Sequence, residues 1–167
     1  MARVFVAMSG GVDSSVAAAL LLEAGHDVTG ITMQLLPEGD APGECCGSDA
    51  VLSARRVAGV LGIPHYTWDL REVFEREVVA DFAREYASGR TPNPCIRCND
   101  LIKFGALLDR ATSAGADLLA TGHYARVVCD HSGALWLARG VDRAKDQSYF
   151  LYRLTPDQLR RVVFPLG

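Results

Sequence analysis

The stretch Ser9-Gly10-Gly11-Val12-Asp13-Ser14-Ser15 decides the fold, because it joins an apolar run to a helical pattern. The run from Arg3 to Met8 is typical of a buried strand, and Asp13 to Ala24 is typical of a helix that ends at Gly25. Two glycines permit a tight turn whose backbone N–H groups converge, and the helix N-terminus adds partial positive charge. The stretch therefore predicts a loop that binds phosphate groups.

This loop differs from two better known phosphate-binding sequences. No lysine follows its glycines, so it is not a Walker A loop, and it lacks the glycine spacing of dinucleotide-binding folds. Its serine hydroxyls are expected to donate hydrogen bonds to phosphate oxygens. They belong to Ser9, Ser14 and Ser15.

Strand and helix patterns alternate along the rest of the chain, which predicts an α/β fold. Further strands are expected at Asp27 to Met33, at His65 to Asp69 and near Asp117 to Thr121. The architecture that follows is a Rossmann-like, doubly wound and mostly parallel sheet, with a ligand at the carboxyl ends of its strands. One domain is expected over residues 1–167, in which residues from about 125 form a hairpin and a short helix that extend the domain.

Periodicity also predicts which side of each helix faces the core. The first helix is expected to bury Val16, Leu20, Leu21 and Ala24, and the helix from Arg71 to Ser88 to bury Phe74, Val78, Phe82 and Tyr86. Two prolines predict an irregular segment from Gly89 to Asn99, after which Asn99 or Asp100 caps the next helix. The residues from Gln34 to Gly47 are expected to form a long loop.

Composition excludes several classes of protein. The chain has 167 residues, 49% of them apolar, and a net charge of −3, which excludes intrinsic disorder and argues against bulk electrostatic coating of nucleic acid. No apolar run approaches the ~20 residues that span a bilayer. The N-terminus shows no signal-peptide pattern, and five cysteines are an odd number. A cytoplasmic protein with reduced thiols and no membrane partner is expected.

Four segments together resemble a known enzyme family. The loop at Ser9 resembles the PP-loop of the N-type ATP pyrophosphatases, which cleave ATP between the α- and β-phosphates. With three further segments, the whole chain resembles the tRNA-specific 2-thiouridylases. Those segments are Thr91-Pro92-Asn93-Pro94-Cys95-Ile96-Arg97-Cys98-Asn99, Thr121-Gly122-His123-Tyr124-Ala125 and Lys145-Asp146-Gln147-Ser148-Tyr149-Phe150-Leu151-Tyr152.

The resemblance implies a sulfurtransferase that replaces the 2-oxygen of the wobble uridine of tRNA with sulfur. ATP adenylates the 2-oxygen of the uracil ring. Sulfur carried on a cysteine then attacks C2, the carbon atom that bears this oxygen. The implied cofactors are ATP and Mg²⁺, and the implied partners are tRNA and a sulfur donor, either a sulfur-relay protein or a cysteine desulfurase. The resemblance assigns nucleotide binding to Ala7, Met8, Ser9, Gly10, Gly11, Val12, Asp13, Ser14, Met33 and Gly122.

The resemblance assigns catalysis to Cys98, beside which Arg97 and Lys103 supply positive charge that favours a thiolate. Asp13 has two interpretations: it positions Mg²⁺ or pyrophosphate, or it is a first-turn acid that the helix dipole favours. The segment around Cys98 and a second segment match positions that contact tRNA in the family. These positions are Asn93, Pro94 and Cys95, and Lys145, Asp146 and Gln147.

Several alternatives stay open at this point. Some relatives have Asp where this chain has Cys95, so the pair Cys95 and Cys98 is also a candidate for two ligands of an iron–sulfur cluster. Cys45-Cys46 is interpreted as a loop feature rather than as a ligand pair. Another PP-loop ATP pyrophosphatase and a non-catalytic nucleotide- or tRNA-binding module are the other functions. Family members continue into a central domain and a C-terminal β-barrel, neither of which lies within these 167 residues.

Overall fold

The computed structural model describes residues 1–37 and 48–167, which form a parallel sheet of five strands flanked by helices. The strand order is β3-β2-β1-β4-β7, and every neighbouring pair is parallel. The α/β, Rossmann-like prediction is therefore confirmed. The strands are β1 (Arg3–Ala7), β2 (Asp27–Gln34), β3 (His65–Asp69), β4 (Leu118–Thr121) and β7 (Val162–Val163).

The helices alternate with these strands, and a separate hairpin follows β4. Two of the helices, α3 (71–87) and α4 (94–113), contain π-helical segments, at Glu75–Val79 and Cys98–Leu107. None of the helices in residues 1–37 and 48–167 is long and apolar enough to cross a membrane. The remaining elements are α1 (Val12–Glu23), α2 (Ser48–Leu61), the hairpin β5 (Ala125–Cys129) and β6 (Leu135–Arg139), a 3₁₀ turn (Ser148–Leu151) and α5 (Pro156–Leu159).

The core has two layers, one on each face of the sheet, because side chains alternate along a strand. On β1, Val4 and Val6 face the layer that α1 and α2 cover, whereas Phe5 faces the layer that α3 and α4 cover. Both faces of β1 are buried, as is usual for a central parallel strand.

The chain order places a topological switch point beside β1. From β1 the chain proceeds outward to β2 and β3, and it then returns to place β4 on the other side of β1. The register pairs Ala7 with Ile31 of β2 and with Thr121 of β4. The loop after β1 and the loop after β4 therefore leave the same edge of the sheet side by side, where such sheets bind ligands.

The buried faces of two helices differ from the prediction. In α1, small residues allow close packing on the sheet, while Val16 and Leu20 are exposed; the buried residues are Ser14, Ala17, Ala18 and Leu21. In α3, Val78 is buried as expected, but Phe82 and Tyr86 are exposed and stack on each other. The π-helical segment changes the number of residues per turn in α3. Residues spaced four apart across this segment therefore do not stay on one face of the helix.

The predicted start of the next helix was also wrong. α4 begins at Pro94, because Asn93 is its N-cap: the Asn93 Oδ1 accepts hydrogen bonds from the N–H groups of Cys95 and Ile96. Proline is compatible with the first helical position, where its missing N–H removes no helical hydrogen bond. Neither Asn99 nor Asp100 is a cap, since both lie inside the helix.

One strand of the sheet, β7, was not predicted, because two residues give no periodicity. Most of the predicted loop from Gln34 to Gly47, including Cys45-Cys46, lies outside the described residues, and Gln34 itself ends β2.

Phe104→Ala should lower the free energy of unfolding by about 3–5 kcal/mol, because the ring is 1% exposed and contacts the rings of His123 and Phe164. Leu20→Ala is the matched control. Leu20 is 41% exposed, so its truncation should cost less than about 1 kcal/mol. Urea unfolding of both variants measures the difference, and equal losses would contradict the assignment of the two faces.

Candidate nucleotide and thiol site

The loop after β1 has the tight geometry that its glycines predict. Gly10 has φ +76°, and a Cβ there would lie 2.6 Å from the Ala50 carbonyl oxygen, so only glycine fits. The Ser14 hydroxyl donates to the Gly11 carbonyl, as does the Ser15 hydroxyl, at 3.1 and 2.8 Å. These two hydroxyl protons hold the loop together. In this conformation both hydroxyl protons are used within the loop, and donation by the serine hydroxyls to phosphate stays a prediction.

A cavity of about 240 Å³ opens at the carboxyl ends of β1, β2 and β4. The phosphate-binding loop forms one wall, and the first turns of α4 form another. The lining residues are Ala7, Met8, Ser9, Asp13, Ser14, Thr32, Met33, Leu35, Cys95, Cys98, Asn99, Lys103, Thr121, Gly122, His123 and Gln147. The loop and the thiol, which are more than eighty residues apart in sequence, thus share one enclosed space.

Most of the residues that the sequence proposed for the site line this cavity. Those that do not are four members of the phosphate-binding loop (Gly10, Gly11, Val12 and Ser15) and four of the positions expected to contact tRNA (Asn93, Pro94, Lys145 and Asp146). Lys145 and Asp146 line a second cavity that adjoins the first through Asp13 and Gln147.

The first turn of α4 presents the two cysteines of the Cys95-x-x-Cys98 pair. Cys95 is exposed and Cys98 is half-buried. Arg97, between them, donates to the buried carboxylate of Asp81 in α3 at 2.9 Å, and Arg84 pairs with the same carboxylate. This ion pair fixes the cysteine-bearing turn to α3. The Arg97 charge is therefore partly compensated by Asp81.

Lys103 supplies the positive charge of the cavity. It is the one cationic side chain among the described residues that line the cavity, and none of the ion pairs found in the described part of the chain includes it. Lys103 follows Cys98 by five residues within the π-helical segment, where hydrogen bonds run from residue i to residue i+5. This winding brings the ammonium group and the thiol to the same cavity.

His123 lies at the end of β4 as a neutral imidazole. Its Nδ1 is 2.7 Å from the Thr121 Oγ1, and its ring contacts the rings of Phe104 and Phe164. Burial, and then the positive charge of Lys103, lower the pKa of His123 to about 3. The histidine orders the loop after β4 and adds no charge to the cavity near neutral pH.

A hydrogen-bonded chain connects the phosphate-binding loop to the segment at Lys145. The Tyr124 hydroxyl donates to Asp13 Oδ1 at 3.0 Å, and Lys145 Nζ donates to the Tyr124 hydroxyl at 3.4 Å. Gln147 accepts from the Tyr124 N–H through its side chain and donates to the Tyr124 carbonyl through its backbone. Asp146 accepts from the N–H groups of Gly140 and Ser148. Asp146 and Gln147 thus order the segment that carries Lys145.

Sequence analysis missed several residues that line the cavity: Thr32, Leu35, Asn99, Lys103 and Thr121 as site residues, and Tyr124 as a partner of Asp13. Thr32 and Thr121 lie on strands whose carboxyl ends were predicted to bind the ligand, so their positions could have pointed to them. Asn99 and Lys103 had been assigned to helix capping and to the thiol environment. No cluster of three or more metal-ligating side chains occurs in the described ranges.

Comparison with known proteins gives the family. The model of the family described as tRNA methyl transferase HUP domain matches residues 2–167. The chain belongs to this family. In this HUP domain, the cavity lies where the strand order of the sheet reverses.

Curated relatives of this HUP domain carry a more specific name. The protein from Carboxydothermus hydrogenoformans named tRNA-specific 2-thiouridylase MnmA is 60% identical over 171 residues, which cover 99% of this chain and 47% of that protein. Proteins of the same name from Geobacter metallireducens and Chloroflexus aurantiacus are 56% and 54% identical, covering 99% and 100% of this chain and 47% of each of them. The chain spans about half the length of these relatives.

A solved structure supports the fold of the HUP domain. It is described as a predicted subunit of tRNA methyltransferase from Methanocaldococcus jannaschii, and it aligns with a TM-score of 0.57 at 20% identity. The alignment covers 99% of this chain and 68% of the other. At this identity the likeness shows a common fold.

Gly122→Ala should lower the free energy of unfolding by about 1–3 kcal/mol, because a Cβ there would lie 2.7 Å from backbone atoms of Asp13 and Ser14. Gly59→Ala is the matched control. Nothing lies within 4 Å of a Cβ at Gly59, inside α2, so alanine should raise the stability by about 0.5–1 kcal/mol. Chemical unfolding gives both values. An unchanged free energy of unfolding in Gly122→Ala would contradict the close contact with the backbone of Asp13 and Ser14.

Stability should fall as the pH decreases from about 6.5 towards 3, and part of this loss should disappear in His123→Gln. The folded state holds the pKa of His123 at about 3, whereas the unfolded histidine titrates near its ordinary value of 6.5. Below that value the unfolded state binds the proton first, which favours unfolding. Urea unfolding across this pH range measures the slope, and an identical slope in both proteins would contradict the assignment.

Proposed function

We propose that this chain is the ATP-binding, catalytic part of an enzyme that replaces the 2-oxygen of the wobble uridine of tRNA with sulfur. One observation carries the proposal: the phosphate-binding loop and Cys98 line a single cavity. An ATP pyrophosphatase with another substrate would use the loop but would have no need of a thiol beside it. The names of the curated relatives support the same reaction and substrate.

The reaction needs both halves of the cavity. The uracil 2-oxygen is a poor leaving group, so it first attacks the α-phosphorus of ATP, and pyrophosphate leaves. The outer sulfur of a cysteine persulfide then attacks C2 of the adenylated ring, and AMP leaves with the original oxygen. A second thiol then attacks the cysteine sulfur of the S–S bond, which releases the 2-thiouridine and leaves a disulfide that an external thiol reduces. The reacting ring must therefore meet the α-phosphate and a thiol at nearly the same place. A cavity with the loop on one wall and Cys98 on another meets that requirement.

The nucleotide half of the cavity suits a triphosphate. Backbone N–H groups of the loop and the N-terminus of α1 provide donors and partial positive charge. Lys103 adds a full charge on the facing wall. Asp13 is the one carboxylate among the described lining residues, and Mg²⁺ in nucleotide sites is held by one or two carboxylates together with substrate phosphates. Asp13 would hold the ion, which would offset phosphate charge. Met33 and Gly122 would line the adenosine side.

The thiol half would receive the base. Cys98 is placed to carry or relay sulfur that a donor protein supplies, either a sulfur-relay protein or a cysteine desulfurase. Asn93, Pro94 and Cys95 lie at the start of the same helix and would contact the nucleotide next to the reacting atom. Lys145 would bind the RNA backbone, and Asp146 and Gln147 would hold Lys145 in place. With a tRNA substrate and reduced thiols, this activity would belong to the cytoplasm.

The proposed domain, residues 1–167, would be one part of a longer functional unit, because the curated relatives are about twice as long. The relatives' additional length would then supply the central and β-barrel domains and much of the tRNA contact. A modest acidic charge on this part agrees with that division, since the larger electrostatic share of RNA binding would lie elsewhere.

A second candidate differs only in how sulfur is carried. Cys95 and Cys98 line the same cavity, one helical turn apart, so they would provide two ligands to an iron–sulfur cluster. The described residues around them supply no third cysteine, histidine or carboxylate in a ligand cluster. This version would need a further ligand from outside the described ranges.

Cys98→Ser and Gly10→Ala should separate the two half-reactions. The first should abolish thiolation and leave ATP affinity within about twofold of wild type. The second should lower ATP affinity at least tenfold, because a Cβ at Gly10 collides with backbone and meets a positive φ. The assay combines calorimetric titration of ATP with thiolation of an anticodon stem-loop RNA, using ATP, Mg²⁺, and cysteine with a cysteine desulfurase as the source of persulfide sulfur, and mass spectrometry as readout.

Gly133→Ala is the control for backbone strain, since Gly133 also has a positive φ but lies in the β5–β6 turn with nothing near its Cβ. It should keep wild-type ATP affinity. Normal thiolation by Cys98→Ser would refute the assigned nucleophile. Iron in anaerobically purified protein that is lost in Cys95→Ser would favour the cluster over a persulfide.

A further inference from the structure

The Asn99 side chain is a buried polar group that the fold leaves unsatisfied. The residue is 4% exposed and lines the cavity, and its Oδ1 has no hydrogen-bond partner among the residues that the structure describes. Buried amide oxygens in native proteins are nearly always hydrogen-bonded, and each exception calls for an explanation. A ligand N–H group in the cavity is one such explanation.

The local structure does not account for an asparagine at this position. Asn93 already caps α4, so Asn99 is not needed as a cap. Asparagine is a mediocre residue for a helix interior, because its amide competes for backbone hydrogen bonds. A leucine of similar size would fill the same space without burying an unpaired oxygen. The residue type therefore points to recognition rather than to folding.

The neighbours of Asn99 indicate which ligand it meets. It directly follows Cys98 in the π-helical segment, and the two side chains line one cavity with Lys103. In the proposed reaction the group that comes to Cys98 is the uracil ring, whose N3–H donor lies between two carbonyl oxygens. An amide complements this edge: its oxygen accepts from N3–H and its nitrogen donates to O4, which leaves O2 open for adenylation.

We propose that Asn99 hydrogen-bonds the Watson–Crick edge of the target uracil and presents its O2 to the α-phosphate of ATP. This inference rests on the proposed function and adds to it a residue that recognises the reacting base. The bond forms to the N3–H proton, so removal of that proton from the RNA and removal of the amide from the protein eliminate the same interaction.

The test uses wild type and Asn99→Leu, each with two anticodon stem-loop RNAs that carry uridine or N3-methyluridine at the target position. Thiolation rates are measured with ATP, Mg²⁺, cysteine and a cysteine desulfurase, and each variant is joined to the additional domains of its relatives. Methylation at N3 should slow the wild type about tenfold or more, and Asn99→Leu should slow reaction of the unmodified RNA by a similar factor. The two losses should not add, because both remove one hydrogen bond. Asn99→Asp, which keeps an acceptor, should retain more sensitivity to N3-methylation than Asn99→Leu.

Stability separates this role from a structural one. If Asn99 serves the ligand, the thermal midpoint of Asn99→Leu should equal or exceed that of wild type, since leucine removes an unpaired buried oxygen. A lowered midpoint, wild-type rates in Asn99→Leu or additive losses would each overturn the inference. The exposed Asp109 on the same helix provides a control, and Asp109→Asn should react like wild type. Absence of any thiolation by the wild-type chain, even when it is joined to the additional domains of its relatives, would instead refute the proposed function, and the inference with it.

Discussion

The close contact between the end of β4 and the first turn of α1 is the constraint on which the site depends. Gly122 follows β4, and a single added carbon there would come within 2.7 Å of the backbone at Asp13 and Ser14. Because β1 and β4 are paired in register, this contact sets the position of the phosphate-binding loop relative to the sheet. The other features of the cavity are arranged around that fixed point. A bound triphosphate would thus meet donors whose positions are set before it arrives, which lowers the cost of ordering them.

The opposite wall is held by a buried charge. Asp81 pairs with Arg97 and Arg84, and it thereby ties the cysteine-bearing turn of α4 to α3. Removing one partner of a buried ion pair is costly, because the other charge stays desolvated. The thiol is therefore supported by a neighbouring helix as well as by its own turn, and chemistry at a defined carbon atom needs such rigidity.

The sequence predicted the architecture well because long, periodic patterns and glycine-rich turns are local signals. The loop at Ser9 and four of the sheet strands followed from such signals, and the family resemblance assigned Cys98 to the same reaction as the loop. The failures have particular physical causes. Pro94 was taken as a helix breaker although it is the first residue of a helix. The buried face of α1 was assigned to its largest residues, but alanines pack closest to the sheet. The burial of Asn99 beside the cavity and the bond from Tyr124 to Asp13 arise only in the tertiary structure, and no local pattern encodes them.

The π-helical winding between Cys98 and Leu107 makes the number of residues in this stretch as important as their identity. Loss of one residue there would allow ordinary α-helical winding, and each residue of an α-helix accounts for a rotation of about 100° around the axis. The asparagine cap and both cysteines would then turn away from the phosphate-binding loop while every remaining side chain stayed the same. A substitution changes one side chain of the cavity wall, whereas a one-residue deletion would change which side chains form that wall.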